Sequence, residues 1–375
     1  VPEFWLHYGE VEVGVEVKAE NLLGYVEPAW RPLQDAEVEK QLEGADTTRP
    51  IVIPEPSSAT LALLTYLLRV AQPPTGQVQI FVPEEDLYYA KVAAENYQAE
   101  VMPLRGLTEI GVIDGIRIKA PYPLTEKGTI ILTSTDFDPL FGFGGGPPAV
   151  LRVLDPQVGV AVGELMDERP RPGEVTGASK FAERVAGLLP DHLAYEVIPT
   201  EGGLAHLAAG SLVEAHRAAS EELGKRGAVR VERAAHGVVV SPGFDPVRDR
   251  LDYNLKALMN VAGAVREGGE IILVAECSRG LGNPEFHSLI QRGPAWLKRA
   301  RSRPKLGLEP LAYLESIKRR HKVTLVSTLP NYYVRGVLGL DTAPRISVAV
   351  EALVSRGRAQ KLYLAPWAAI TRLTR

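Results

Sequence analysis

Three segments carry residue types that could bind or transform a small molecule. The first, Asp46-Thr47-Thr48-Arg49-Pro50, ends where a short apolar strand begins. Its arginine offers a planar, bidentate fork to a carboxylate or phosphate, and Asp46 can hold that fork in position. Asp46, Thr48 and Arg49 are therefore candidate anion-binding residues; the bland alternative is a turn closed by an Asp–Arg pair. The second is the loop Gly142-Phe143-Gly144-Gly145-Gly146, which follows another strand. Glycines there would let backbone N–H groups approach a ligand, although a tight turn has the same composition. The third begins with Tyr253-Asn254-Leu255-Lys256 on an expected helix. It continues through a Glu267-Gly268-Gly269 turn and a buried strand into the polar loop Cys277-Ser278-Arg279-Gly280. Lys256 and Arg279 are its candidate cations, near the kind of strand end where α/β proteins keep ligands. Taken alone, Lys256 reads as a solvated helix lysine.

Several standard site motifs are absent. There is no G-x-x-x-x-G-K-[ST] phosphate loop and no G-x-S-x-G nucleophile elbow. Pro147 interrupts any G-x-G-x-x-G reading of the glycine loop. The seven histidines (7, 192, 206, 216, 236, 287 and 321) are scattered, with no H-x-H or H-E-x-x-H pair, so no metal site is expected.

The elements that must position these residues alternate. Val11, Val13, Val15 and Val17 have the period of a half-buried strand. A short polar helix is expected from Asp35 to Gly44, then a strand at Pro50–Ile53 and a helix capped by Ser57 or Ser58 that buries Leu61, Leu63, Leu64, Leu67 and Leu68. Val78–Val82 and Thr129–Thr133 read as strands. Glu84–Tyr97 reads as a helix with Leu87, Tyr88, Ala90, Val92 and Ala93 inward, and helices are expected at Gly177–Leu189 and Leu204–Leu223. After an expected hinge at Gly224–Glu232, strands at Gly237–Ser241, Ile271–Ala275, Val323–Ser327 and Lys361–Leu364 alternate with helices near Asp252–Arg266, Leu308–Arg320 and Arg345–Arg356. The pattern predicts two α/β domains, 1–228 and 229–375, joined by a hinge with a ligand cleft between them.

At 375 residues and 45% hydrophobic composition, the chain is long enough for two cored domains. No apolar run is long enough to span a bilayer, and Val1-Pro2-Glu3-Phe4-Trp5 lacks the look of a secretion signal. With Cys277 as the single cysteine, the expected compartment is the cytoplasm. Twenty-nine prolines beside six asparagines point to a thermophilic source. The net charge of −4 divides unevenly: 17 basic and 4 acidic residues in 291–375 give +13, leaving −17 for 1–290. The basic runs at 297–305 and 318–322 raise nucleic-acid binding as an alternative, but few aromatics accompany them, so nucleic acid is not the expected partner.

In this order and spacing the three segments resemble the nickel-dependent lactate racemase family. Residues Asp46–Pro50 resemble its D-H-T-R-P motif, with Thr47 in place of the histidine, and Gly142–Pro148 resembles its G-F-S-G-G-R-K motif. Arg266–Ala275 is similar to its E-G-G-T-I-I-x-V-A strand, and Ala349–Pro366 to its last helix and strand. The resemblance implies an α/β fold throughout, with Arg49, Asp46 and Lys256 at the substrate carboxylate. It also implies a nickel pincer nucleotide tethered to a lysine, a histidine on nickel and two acid–base histidines. The tether position is Pro148, the nickel-ligand position is Asp138, one acid–base position falls on or near Glu164, and the other has no counterpart beside Pro83-Glu84-Glu85-Asp86.

The expected protein therefore binds a small carboxylate of the 2-hydroxy acid type between its domains, carries no cofactor and lacks pincer racemase activity. The alternative is a divergent racemase or epimerase in which Asp138 and Glu164 move protons.

Overall fold

The protein is described by a computed structural model covering residues 2–71, 78–97, 99–295, 305–357 and 360–375. It opens with the antiparallel hairpin β1 (Glu3–Tyr8) and β2 (Val11–Glu16). Val15 and Val17 are buried as their alternation predicts, whereas Val11, beside the hairpin turn, faces solvent. Next come β3 (Leu22–Tyr25), β4 (Ile51–Val52), β5 (Gln79–Val82) and β6 (Glu100–Pro103). A ribbon of β7 (Arg105–Ile113) and β8 (Ile116–Tyr122) follows, then β9 (Thr129–Ser134), the short pair β10 (Phe137–Asp138) and β11 (Gly142–Phe143), β12 (His192–Thr200) and β13 (Gly203–Gly210). The first six-stranded sheet runs β13-β12-β9-β4-β5-β6 and is parallel except for β12–β13.

The connecting strand is β14 (Ala228–Arg230), and the second half holds β15 (Ala235–Val240), β16 (Val265–Val274), β17 (Lys322–Val326), β18 (Asp341–Thr342), β19 (Leu362–Ala365) and β20 (Arg372–Thr374). Its sheet runs β18-β17-β16-β15-β19-β3, all parallel. A boundary at 228/229 thus separates the two sheets except at β3, which crosses from the first residues into the second sheet. The architecture is a mixed α/β fold with helices on both faces of each sheet.

Alternation along the strands explains this layering. Ile130 and Leu132 of β9 pack with Leu63, Leu64 and Leu67 of the helix Ser58–Ala71. Ile131 points the other way, into a cluster with Phe181 of the helix Gly177–Ala186. A parallel strand buried on both faces reads as a continuous apolar run, as β9 does. That second cluster also takes in Ile271 and Leu273 of β16, so the two halves share a core.

Three expectations need correction. Leu204–Leu223 is not one helix: Leu204 and Leu207 lie on β13, and a Ser211 cap with Glu214 starts a separate helix, Leu212–Gly227. Their spacing of three mimics a helix, but both face Tyr195 and Val197 across the sheet. In the helix Leu87–Ala94, Ala90 and Ala94 are buried, whereas Tyr88 is 71% and Val92 49% exposed. Asp252–Arg266 breaks into Leu251–Asn254 and Lys256–Val261, and β16 has begun by Val265. The expected hinge segment Gly224–Glu232 holds the end of the helix Leu212–Gly227 and β14, which pairs in parallel with β20.

The basic 318–322 run is locally matched: Lys318 pairs with Glu315 at 2.8 Å, Arg320 with Glu267 at 3.1 Å and Lys322 with Asp341 at 2.8 Å. The 297–305 run lies outside the described residues except for Lys305, which pairs with Glu285 at 2.6 Å. Among the described residues, no helix is long and apolar enough to cross a membrane.

Leu373 is buried in β20, opposite Val229 of β14. Leu373→Ala should lower the unfolding free energy by about 2–5 kcal/mol in urea titration. A loss well under 1 kcal/mol would mean that the tail strand is not part of the core.

Candidate functional site

The carboxyl ends of β4 and β9 bring acidic residues toward the second half of the molecule. β4 runs on through Ile53 into Pro54-Glu55-Pro56, and β9 into Thr135-Asp136-Phe137-Asp138. Over them lies the segment Arg248–Lys256. Arg248 staples the halves together, donating to Pro56 O at 3.2 Å, Glu55 O at 2.8 Å and the Tyr253 hydroxyl at 3.3 Å. The Tyr253 hydroxyl donates to Asp136 Oδ2 at 2.7 Å. Lys256 Nζ lies 2.8 Å from Asp138 Oδ2 and 3.8 Å from Asp136 Oδ2. Arg152 reaches Glu309 at 3.0 Å, Asp138 at 3.5 Å and Glu55 at 3.8 Å. Backbone N–H groups of Leu140 and Phe141 donate to Asp138 Oδ1 at 2.8 and 3.0 Å.

All these groups are largely buried, so each charge persists only because it is paired. Burial alone would raise the pKa of Glu55, but Arg248, Arg152 and Lys256 outweigh it and hold the carboxyl at about 2. Asp138 is pulled down in the same way, burial being overcome by Lys256 and Arg152. For Asp136 burial prevails and the pKa rises. Lys256 is raised, because Asp136 and Asp138 outweigh its own desolvation. Tyr253 is driven well up, by burial first and then by Asp136.

This lattice backs a cleft of about 530 Å³ between the halves, with Glu55, Arg152, Arg250, Tyr253, Lys256 and Glu309 among its lining residues. Of the expected site residues, the structure brings Lys256 and Asp138 together but leaves the others elsewhere. Asp46, Thr48 and Arg49 form an exposed turn: Thr48 N and Oγ1 donate to Asp46 Oδ1 at 3.1 and 2.5 Å, and Arg49 Nε lies 3.4 Å from Asp46 Oδ2. Arg49 packs beside Gly128, which precedes β9, whereas Asp136 follows it. The six residues of β9 therefore separate Arg49 from the Lys256 site by roughly 20 Å at about 3.3 Å per residue. Arg49 and Lys256 do not grip one ligand, because the Asp46–Pro50 turn enters its strand and ligand sites lie where strands leave.

Glu164 ends the helix Pro156–Glu164 on the surface, outside the cleft. The glycine loop is packed against protein. A Cβ on Gly144 would lie 2.1 Å from Asp136 Oδ1, and one on Gly145 (φ +84°) 2.1 Å from Glu196 Oε1. Gly142 would likewise meet Glu174 O at 2.0 Å, and Gly146 donates its N–H to Glu196 Oε2 at 3.0 Å. The loop's close approaches are thus to buried carboxylates and backbone, not to a ligand cradle. Arg279 fastens the second half to the first through Asp86 at 2.9 Å and Glu85 O, covers the Tyr89 ring, and also donates to Val247 O of its own half.

Glu55, Asp136, Arg152, Arg248, Arg250 and Glu309 were not singled out by the sequence reading. Glu55 and Asp136 sit just past apolar strands, the rule that pointed to the glycine loop, and Arg248-Asp249-Arg250-Leu251-Asp252 is a dense charge run ahead of a buried helix. Those signals were legible.

No described protein family matches the chain, and no curated protein matches it in sequence. Solved structures do match. The lactate racemase apoprotein from Thermoanaerobacterium thermosaccharolyticum aligns over 100% of both chains with a TM-score of 0.75 and 18% identity. A protein from Thermotoga maritima aligns over 93% of this chain and 100% of its own, with a TM-score of 0.71 and 14% identity. At these identities the likeness shows the fold alone. The chain has a lactate-racemase-like α/β fold.

The lattice can be tested through Lys256. Lys256→Met should destabilise the protein by about 3–5 kcal/mol at pH 7, because buried Asp138 would keep only its longer, shared contact with Arg152. Adding Asp138→Asn should recover part of that loss. Groups with depressed pKa values, Asp138 and Glu55, stabilise the fold above the unfolded carboxylate pKa and lose that contribution as pH falls through their folded values. The penalty of Lys256→Met should therefore shrink as pH falls below about 4 in urea titrations. A penalty independent of pH, or no recovery in the double variant, would refute the pairing.

Proposed function

We propose that the chain is a small-molecule-binding protein on a lactate-racemase-like fold, taking a small 2-hydroxy carboxylate in the interdomain cleft without running nickel-pincer racemisation. Arg250 carries this reading. Its Nε is held by Asp252 Oδ1 at 2.9 Å, its side chain is 18% exposed, and no hydrogen bond among the described residues uses its terminal nitrogens. A guanidinium fixed at its base and open at its tip suits a carboxylate. Arg152 and Lys256 are already matched by resident carboxylates. Glu55 lines the same cleft and stays ionised down to about pH 2, so it can accept a hydrogen bond from the ligand's hydroxyl. Eight carboxylates and four cations line the cleft, so a singly charged ligand with hydroxyl donors suits it better than a polyanion.

The pincer cofactor does not fit the residues present. Pro148, where a tethering lysine would stand, has no amine and is buried in the helix Gly146–Leu151. Asp138, at the position of the nickel-ligand histidine, already accepts from Lys256, Leu140 N and Phe141 N.

One observation favours a second reading, proton-transfer isomerisation. Asp136 and Asp138 have pKa values pushed in opposite directions, and Tyr253 links Asp136 to the cleft. Carboxylates separated in this way are the raw material of acid–base pairs.

D- and L-lactate and related 2-hydroxy acids should raise the melting temperature, logarithmically with concentration above their Kd. Arg250→Lys should weaken that binding about tenfold or more, while Arg49→Lys should leave it unchanged. The purified protein should show its calculated mass and should interconvert the lactate enantiomers no faster than buffer. Silence across the whole hydroxy-acid panel would sink the binding reading. Tyr253-dependent exchange of the C2 hydrogen with heavy water would instead establish the isomerase.

A further inference from the structure

Tyr253 also lines a second chamber between the halves, of about 250 Å³, and is the one described residue that lines both this chamber and the cleft. Its volume falls below the ~300–1,000 Å³ of drug-sized sites, so an occupant must be small. Part of the lining is aromatic. His7 of β1 stands edge-on to Trp367 with ring centres 5.0 Å apart, and tilted to Phe244 at 5.7 Å. Phe244 is 42% exposed and is the ring that solvent reaches.

The charged lining is mostly acidic: Asp136, Asp245 and Asp249 stand against Arg248. Arg248 is committed to Pro56 O, Glu55 O and Tyr253. Asp249 is filled by donors from Asn254, Cys277 and Ser278. Asp245 caps the helix Ser58–Ala71 through Oδ1, which accepts from Ser58 N and Oγ at 3.0 and 2.9 Å. Asp136 is different: it is 3% exposed, yet its Oδ1 has no hydrogen-bond partner. Burial also lowers the pKa of His7, which keeps that ring neutral near pH 7.

We infer that this chamber binds a small organic cation, a primary amine or a quaternary ammonium. Ring faces attract cations through their quadrupole, and the attraction strengthens where water is excluded. The carboxylates add charge of the right sign, while an anion would meet a set of acids and an arginine already in use. The inference is independent of the carboxylate reading of the larger cleft, since the residues that carry each are different.

Choline and n-butylammonium should stabilise the protein in thermal-shift titrations and bind in calorimetry. The neutral isostere 3,3-dimethyl-1-butanol and butyrate should not. Phe244→Leu and Asp245→Asn, both of which leave the core and the Ser58 cap in place, should each weaken choline binding at least about threefold. Arg250→Lys should leave choline binding unchanged. The inference is overturned if the neutral isostere stabilises as well as choline, or if no cation stabilises. It is equally overturned if both chamber variants, shown to be folded by circular dichroism, bind choline as the parent does.

Discussion

Lys256 is buried with its ammonium 2.8 Å from Asp138 and 3.8 Å from Asp136, and the surrounding geometry depends on satisfying those three charges. The lysine belongs to the second half and the aspartates follow β9 in the first, so their pairing also fixes how the halves meet. Arg248 and Arg152 complete the arrangement because Glu55 and Glu309 would otherwise be buried carboxylates without cations. Gly144 belongs to the same constraint, since any larger residue would strike Asp136. The glycine loop, the strand ends and the helix Lys256–Val261 are therefore one structural unit.

In this lattice the buried cations are matched by resident carboxylates. A lysine at the end of a sheet is available to a ligand only while no resident carboxylate occupies it. Here Asp138 occupies it, with two backbone N–H groups supporting the carboxylate from behind. Arg250, with 18% of its side chain exposed against 9% for Lys256, stands nearer solvent. The chain shares its fold with the lactate racemase apoprotein, and eight carboxylates and four cations line its cleft.

Most of the fold was legible where local pattern and environment agree. The apolar runs of β9 and β16 are buried on both faces and read as such, and the helix Ser58–Ala71 buries the leucines its spacing selects. Pattern failed where spacing was ambiguous, as at Leu204 and Leu207, which satisfy a helical period yet belong to β13. It failed again at Tyr88 and Val92, apolar residues left on a surface. The site was less legible than the fold. Lys256 was found by resemblance, but Arg49 was misplaced because a motif of residue types does not say at which end of a strand it falls. The partnerships that define the lattice could not be read at all, since Asp136 and Tyr253 are 117 positions apart and only the tertiary fold brings them together.

The second sheet is closed by β3 from the beginning of the chain, and Asn21 there reaches Gln360 O across 339 positions. The synthesis of those two segments is separated by the 339 positions between them. The first sheet has all its strands by residue 210, so it can assemble while synthesis continues, whereas the second lacks its neighbour for β3 until β19 emerges. Loops of that length close slowly and leave apolar strands exposed meanwhile. The hairpin β1–β2, with Leu6, Val15 and Val17 destined for the second core, has to wait in that condition. Completion of the second sheet thus follows the synthesis of β19, and β3 is the strand that waits longest for its neighbour.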